Sequence, residues 1–219
     1  MFSKRITLLS GHYGSGKTNI AVNLAFFLKK SYDNVIIADI DIVNPYFRAK
    51  DNVKELEEAG IRFISSPYAN SNVDIPSLPQ EVYAVTDDKS ARAVMDIGGD
   101  DRGALALGRY APAIKDEGDY DMLLVINKYR PLTKTPEDTV EIMREIEAAS
   151  GIPFTGILNN SNLGAETTKD DIISSLDYAD DVSRLTRLPV IATCVREDLA
   201  SDIAAEAENI FPLKIYTRF

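Results

Sequence analysis

Residues 11–18 read GHYGSGKT, and they follow the apolar run RITLLS (5–10) directly. The octet fits G-x-x-x-x-G-K-[ST], in which glycines let the backbone curl so that successive N–H groups face a phosphate. Such a loop needs a strand before it and a helix after it. Both are legible: 5–10 is a short apolar strand, and Ile20, Leu24 and Phe27 recur at helical spacing, with Lys29 and Lys30 at the C-terminal end. On this reading Gly11, His12, Tyr13, Gly14, Ser15, Gly16, Lys17 and Thr18 form a nucleotide-phosphate cradle. Lys17 would contact the β- and γ-phosphates, the Thr18 hydroxyl would ligate Mg²⁺, and the helix would add its N-terminal partial charge.

Outward from this loop, apolar runs alternate with amphipathic stretches almost to the end. NVIIADID (34–41), IRFISS (61–66), ARAVMDIG (91–98), YDMLLVIN (120–127), PFTGILNN (153–160) and PVIATCV (189–195) read as strands. Several are apolar almost throughout, as strands covered on both faces are. A helix opens at Thr135 as N-cap, with Pro136 at its first position and Glu137 and Asp138 in its first turn. It turns Val140, Met143 and Ile146 inward and stops before Gly151. Helices also fit 102–117, 168–186 and 198–209. This alternation predicts an α/β fold, a mostly parallel sheet with helices on both faces. The 219 residues fit one nucleotide-binding domain, 1–219. One segment breaks the rhythm: SSPYANSNVDIPSLPQ (65–80) reads as a plain surface excursion or as a loop that meets a partner or substrate.

Net charge is −10, from 24 basic and 34 acidic residues. That balance argues against nucleic acid, whose sequence-independent binding rests on Lys and Arg neutralising phosphates, and against anionic membrane surfaces. One cysteine, Cys194, excludes an intrachain disulfide, and with one histidine it excludes a Cys/His zinc site within one chain. Cys194 lies in a strand and reads as a small buried hydrophobe. No stretch approaches ~18 consecutive apolar residues, and the N-terminal run is too short for a signal sequence. A soluble, cytoplasmic protein is expected.

Two further segments carry candidate chemistry. The second strand ends in ADIDIVNPYFR (38–48), where Asp39 and Asp41 share a strand face at its C-terminal end, the place where open α/β sheets bind ligands. Alone, D-x-D reads as a solvated pair; beside a phosphate loop it reads as a metal-supporting and a water-orienting carboxylate. In AVMDIGGDD (93–101), Asp96 closes an apolar strand as a Walker B carboxylate does, and Gly98-Gly99 would let the backbone approach a γ-phosphate.

GxxGxGKTxxAVNLA, DxDxxxP and DxGG, in this order and spacing, resemble the MinD/ParA/CobQ-CobB-like P-loop ATPases of the deviant Walker A group, the SIMIBI class. The resemblance implies a three-layer P-loop NTPase fold with about seven strands in the order 3-2-4-1-5-6-7. It implies that Asp41 orients the attacking water and that Asp39 and Asp96 support Mg²⁺. It also implies that Asn159 or Asn160, with the loop from Arg196 to Asp198, frames adenine. ATP and Mg²⁺ are the implied cofactors. The implied activity is that of a slowly hydrolysing ATPase that switches a partner protein. A carboxylate-activating ligase or amidase of the dethiobiotin synthetase or cobyrinate amidase kind is the alternative, as is a nucleotide-binding module without turnover.

The chain departs from this family at the loop itself. The family's signature lysine, which reaches across a nucleotide-linked homodimer, is replaced by His12, and Tyr13 stands where glycine is usual. An unperturbed histidine is mostly neutral at pH 7, so turnover well below ~1 s⁻¹ is expected. The missing charge would come from a partner or from Arg48 or Arg102. No N-K-x-D signature for guanine is present, since INKYRP carries Arg130 where the aspartate belongs; the resemblance alone favours ATP.

Overall fold

The seven apolar runs form the strands expected of them, and an eighth joins at the edge. The structure, a computed structural model, describes residues 1–40, 52–65, 80–99 and 101–216. Its strands are β1 (Ile6–Ser10), β2 (Val35–Asp39), β3 (Ile61–Ser65), β4 (Arg92–Asp96), β5 (Tyr120–Ile126), β6 (Gly156–Asn159), β7 (Val190–Arg196) and β8 (Ile210–Leu213). They make one sheet in the order β3-β2-β4-β1-β5-β6-β7-β8, with every described pairing parallel. The helices are α1 (Lys17–Lys29), α2 (Val53–Glu58), α3 (Ala84–Asp87), α4 (Asp101–Gly108), α5 (Ala111–Glu117), α6 (Pro136–Ser150), α7 (Lys169–Ile173) and α8 (Leu176–Thr186).

The continuous apolar strands are explained by two cores. Side chains alternate across a strand, so Ile6, Leu8, Met122 and Leu124 face the layer that holds Leu107, Ile114, Met143 and Val182 of α4, α5, α6 and α8. Leu9, Leu123 and Val125 face the other layer, where Ile20, Leu24 and Leu28 of α1 pack. Burying an aliphatic side chain of this size contributes roughly 1.5–3 kcal/mol, which is what holds helices on both faces. Helix α6 forms as its termini dictate: the Thr135 hydroxyl accepts from the Asp138 N–H at 3.2 Å, and Gly151 ends the helix in the left-handed region at φ 69°.

Several expected elements differ. The stretch 102–117 is two helices, because Pro112 cannot donate the N–H that would continue α4 through Tyr110. The stretch 168–186 breaks at Ser175, whose N–H and hydroxyl both turn back to the Ile172 carbonyl, at 3.0 and 2.7 Å. The helix expected over 198–209 is instead a short 3₁₀ turn, Glu197–Leu199, followed by turns. Its Ala/Glu composition favours helix, but Ile203 is its one fully buried apolar side chain, too little to anchor an amphipathic face. Phe27, which shares the helical spacing of Ile20 and Leu24, is 42% exposed and meets Phe2 and Phe211 edge-on.

Strand β8 contains Pro212, which an edge strand tolerates because one side makes no ladder. The chain beyond it is tied to the first helix. The Asn23 side chain accepts from Lys214 N at 2.8 Å and donates to its carbonyl at 2.9 Å, and Asn19 accepts from Tyr216 N at 3.1 Å. Among the described residues no helix is long and apolar enough to cross a membrane.

Candidate functional site

The loop 11–16 leaves β1 at its C-terminal end and enters α1, as the octet predicts. Gly11, Gly14 and Gly16 all take positive φ, 145°, 75° and 91°. At Gly11 the requirement is also steric, because a Cβ there would lie 2.4 Å from the Val125 carbonyl oxygen of neighbouring β5. Lys17 is 5% exposed and folds back over the loop, its Nζ donating to the carbonyls of Gly11 at 3.0 Å and His12 at 3.3 Å. The Ser15 N–H closes the turn onto the His12 carbonyl at 3.1 Å. The Ser15 and Ser10 hydroxyls are buried with no hydrogen-bond partner among the described residues, unusual for polar atoms inside a protein. Thr18 is buried beside Lys17 in the first turn of α1.

Parallel register gathers the carboxylates. Asp39 pairs with Asp96 across β2 and β4, and Asp96 pairs with Leu9 of β1, the second residue before the loop. Both carboxylates are buried, Asp96 completely. Two carboxylates and a hydroxyl form a hard-oxygen donor set too small to cage a cation alone. It fits Mg²⁺, which keeps waters and shares itself with phosphate oxygens. Among the described residues no group of three His, Cys, Asp or Glu is placed to hold a metal. Asp41 and Arg48 lie outside the described residues, as does 66–79 of the atypical loop; Arg102 is the second residue of α4, but its side chain is outside them too.

The second glycine of DIGG approaches the loop from β4. A Cβ on Gly99 would stand 2.6 Å from Gly11 O and Tyr13 N, and 2.8 Å from Lys17 Nζ. From the other side, Asn160 at the end of β6 donates its amide to the Ser15 carbonyl at 2.6 Å. Asn159 is fully buried: its amide donates to the Ser175 hydroxyl at 2.9 Å, and its oxygen accepts from Ser161 N at 3.2 Å. Both asparagines therefore spend their amide groups within the protein. Arg196 and Asp198 form a bidentate pair at the end of β7, Nε–Oδ1 2.5 Å and Nη2–Oδ2 2.9 Å, and Arg196 Nη1 reaches the Ala165 carbonyl at 2.8 Å. The bond to Ala165 joins the β7 loop to the β6 loop, and the Arg196 guanidinium beside Asp198 holds its carboxyl below the ordinary range. Cys194 is buried in β7, and burial pushes its thiol up, as expected of an inert core cysteine.

His12 sits on the rim with Nδ1 2.8 Å from the Tyr13 carbonyl oxygen. Partial burial lowers its pKa most; the Tyr13 carbonyl opposes that, and the charges of Lys17 and Arg130 lower it further. The imidazole is therefore neutral near pH 7. Arg130 is the residue that sequence reasoning missed, since its place in INKYRP was weighed only as a broken guanine signature. Its Nε donates to the Gly14 carbonyl at 2.7 Å. Only the parallel order, which puts the end of β5 beside the end of β1, reveals that proximity.

The sequence pattern of the CobQ/CobB/MinD/ParA nucleotide binding domain matches residues 6–172. Among curated proteins none matches. Similar solved structures include FtsY from Mycoplasma mycoides (17% identity, TM-score 0.55, covering 85% of this chain and 58% of that one). The signal recognition particle receptor FtsY from Elizabethkingia anophelis in complex with GDP is another (14%, 0.51, 86% and 56%). A third is the signal recognition particle 54 kDa protein from Aeropyrum pernix K1 in complex with GDP (19%, 0.51, 84% and 40%). At these identities the likeness is one of fold, and this chain spans about 40–58% of the length of those proteins.

Proposed function

Because the chain belongs to the CobQ/CobB/MinD/ParA nucleotide-binding domain family, we propose that it binds Mg·ATP, hydrolyses it slowly and acts as a nucleotide-dependent switch on a partner protein. The observation that carries this reading is the packing of Gly99 on Gly11, Tyr13 and Lys17. A γ-phosphate held by the loop would press on the segment that leads into α4, so the presence or loss of that phosphate has a mechanical consequence. Lys17 would hold the β- and γ-phosphates, and Thr18, Asp39 and Asp96 would hold Mg²⁺, which supplies charge neutralisation when bound. Asp41 would orient water. The Arg196–Asp198 loop would border the base, with Asn160 keeping the phosphate loop in shape by its bond to Ser15.

A protein partner is favoured by where apolar side chains are exposed. Tyr13, Leu105, Leu132 and Leu163 are 51%, 62%, 62% and 46% exposed, and they lie on the segments that follow β1, β4, β5 and β6 at the nucleotide end of the sheet. A steady-state phosphate-release assay with Mg·ATP and Mg·GTP tests the proposal. It predicts partner-free turnover below ~1 s⁻¹, ATP preferred, abolished in Asp41→Ala while ATP still binds. ATP consumption that appears only on adding a small carboxylate substrate would instead identify a ligase.

A further inference from the structure

Position 12 of the loop carries a neutral histidine, so the developing charge of phosphoryl transfer must be met from elsewhere. In hydrolysis a water oxygen bonds to the γ-phosphorus as the bond from that phosphorus to the β–γ bridging oxygen breaks. The nucleoside diphosphate, inorganic phosphate and a proton are the products, and negative charge builds on the bridging and equatorial oxygens in the transition state. Within one subunit, the loop's own Lys17 is the one cation the sequence motif provides.

We propose that Arg130 supplies, in the same subunit, the positive charge that the phosphate loop lacks at position 12, setting its Nη groups on the terminal phosphate of a bound nucleoside triphosphate. Its guanidinium lies against the loop: a Cβ on Gly14 would be 3.4 Å from Nε and 3.7 Å from Cζ. Only Nε is used, on the Gly14 carbonyl at 2.7 Å. Among the described residues no carboxylate pairs with Arg130 and neither Nη donates to any group. In a chain of net charge −10, an arginine held at the mouth of a phosphate loop with no carboxylate partner among the described residues is suited to receive an anion. Lys128, two residues earlier, is already committed, its Nζ donating to the Ser174 carbonyl at 2.7 Å.

The turn that carries Arg130 is held by hydrogen bonds from within the chain. Arg130 N–H donates to the Asn127 carbonyl and Thr133 N–H to the Arg130 carbonyl, both at 3.1 Å. Fully buried Asn127 accepts from Tyr129 N at 3.0 Å and donates to Asn162 O at 3.2 Å. Pro131 keeps Arg130 extended at φ −97°, ψ 138°. A donor fixed in this way stabilises developing charge without reorganising, and a guanidinium matches phosphate by a planar fork and never loses its charge.

The inference rests on the nucleotide-binding reading above, and its test separates the two. Affinities of wild type, Arg130→Ala and Arg130→Gln for Mg·AMP-PNP and Mg·ADP are measured by calorimetry, with phosphate release measured in parallel. Arg130→Ala is expected to lose about tenfold or more in AMP-PNP affinity and in turnover while ADP affinity stays within about threefold. Arg130→Gln, which keeps an N–H donor for Gly14 but no charge, is expected to show the same selective loss. Wild-type AMP-PNP affinity and turnover in Arg130→Gln would make the residue a strut for the loop and overturn the proposal, as would equal losses for both nucleotides. Wild type that binds neither nucleotide overturns the functional reading itself.

Discussion

Gly99 lies so close to Lys17 that a single added carbon would stand 2.8 Å from the lysine ammonium. The same carbon would meet two backbone atoms of the loop, at Gly11 and Tyr13, both at 2.6 Å. A lysine tip can move aside; the backbone of a tight loop cannot. Gly99→Ala is therefore expected to displace residues 11–13 and weaken nucleotide binding by about tenfold or more, with a smaller effect on folding. Calorimetric titration beside a thermal melt checks this, and unchanged affinity would mean that the two segments do not contact each other in the working protein.

A stability prediction concerns the opposite end of the central strands, where Arg5 precedes β1. Arg5 and Glu117 form an ion pair whose side chains are only 8% and 7% exposed. Arg5 also donates to the carbonyls of Val85, Asp88 and Ala91. Removing one partner strands a buried charge, so Glu117→Ala should cost roughly 3–5 kcal/mol in urea denaturation and leave nucleotide affinity unchanged. Arg5 holds the Glu117 carboxyl below the ordinary glutamate value. The folded state thus binds fewer protons than the unfolded one, and this stabilisation is present above the ordinary value of 4.5 and lost as pH falls through the lowered one.

A pH prediction follows for His12. Its pKa is depressed below 6.5, so the ring is neutral in the folded protein throughout the range above that value. Turnover between pH 6.5 and about 8 should have the same pH profile in wild type and His12→Ala. For stability the sign is set by the depressed value. Below 6.5 the unfolded chain takes up the proton first, so wild type loses stability relative to His12→Ala as pH falls through the folded pKa. Melting temperatures of the two proteins across that range decide it; a difference that does not change with pH would place the imidazole in open solvent.

Much of this was legible in the sequence, for local physical reasons. The octet 11–18 needs a strand before it and a helix after it, and Thr135 and Gly151 state where α6 starts and stops. What was not legible depends on neighbours. Pro212 argues against a strand until an edge position is available for it. The stretch 198–209 has helical composition but only Ile203 to bury. The site divides in the same way. Asp39 and Asp96 were legible as strand-end carboxylates, and parallel register sets them side by side. Asn159 or Asn160 was expected at the base; that their amide nitrogens donate to Ser175 and Ser15 could not be read without the order of the strands. Arg130 has no local signal, because its contact with Gly14 spans 116 residues of sequence.

The central claim is that residues 11–18 hold the phosphates of a nucleotide, and calorimetric titration of Mg·ATP into wild type and Lys17→Ala tests it most directly. The account predicts saturable binding of one nucleotide per chain to wild type. It predicts binding at least tenfold weaker, about 1.4 kcal/mol, once the lysine charge is removed. Equal affinity in a folded Lys17→Ala, or no binding to wild type, would contradict it.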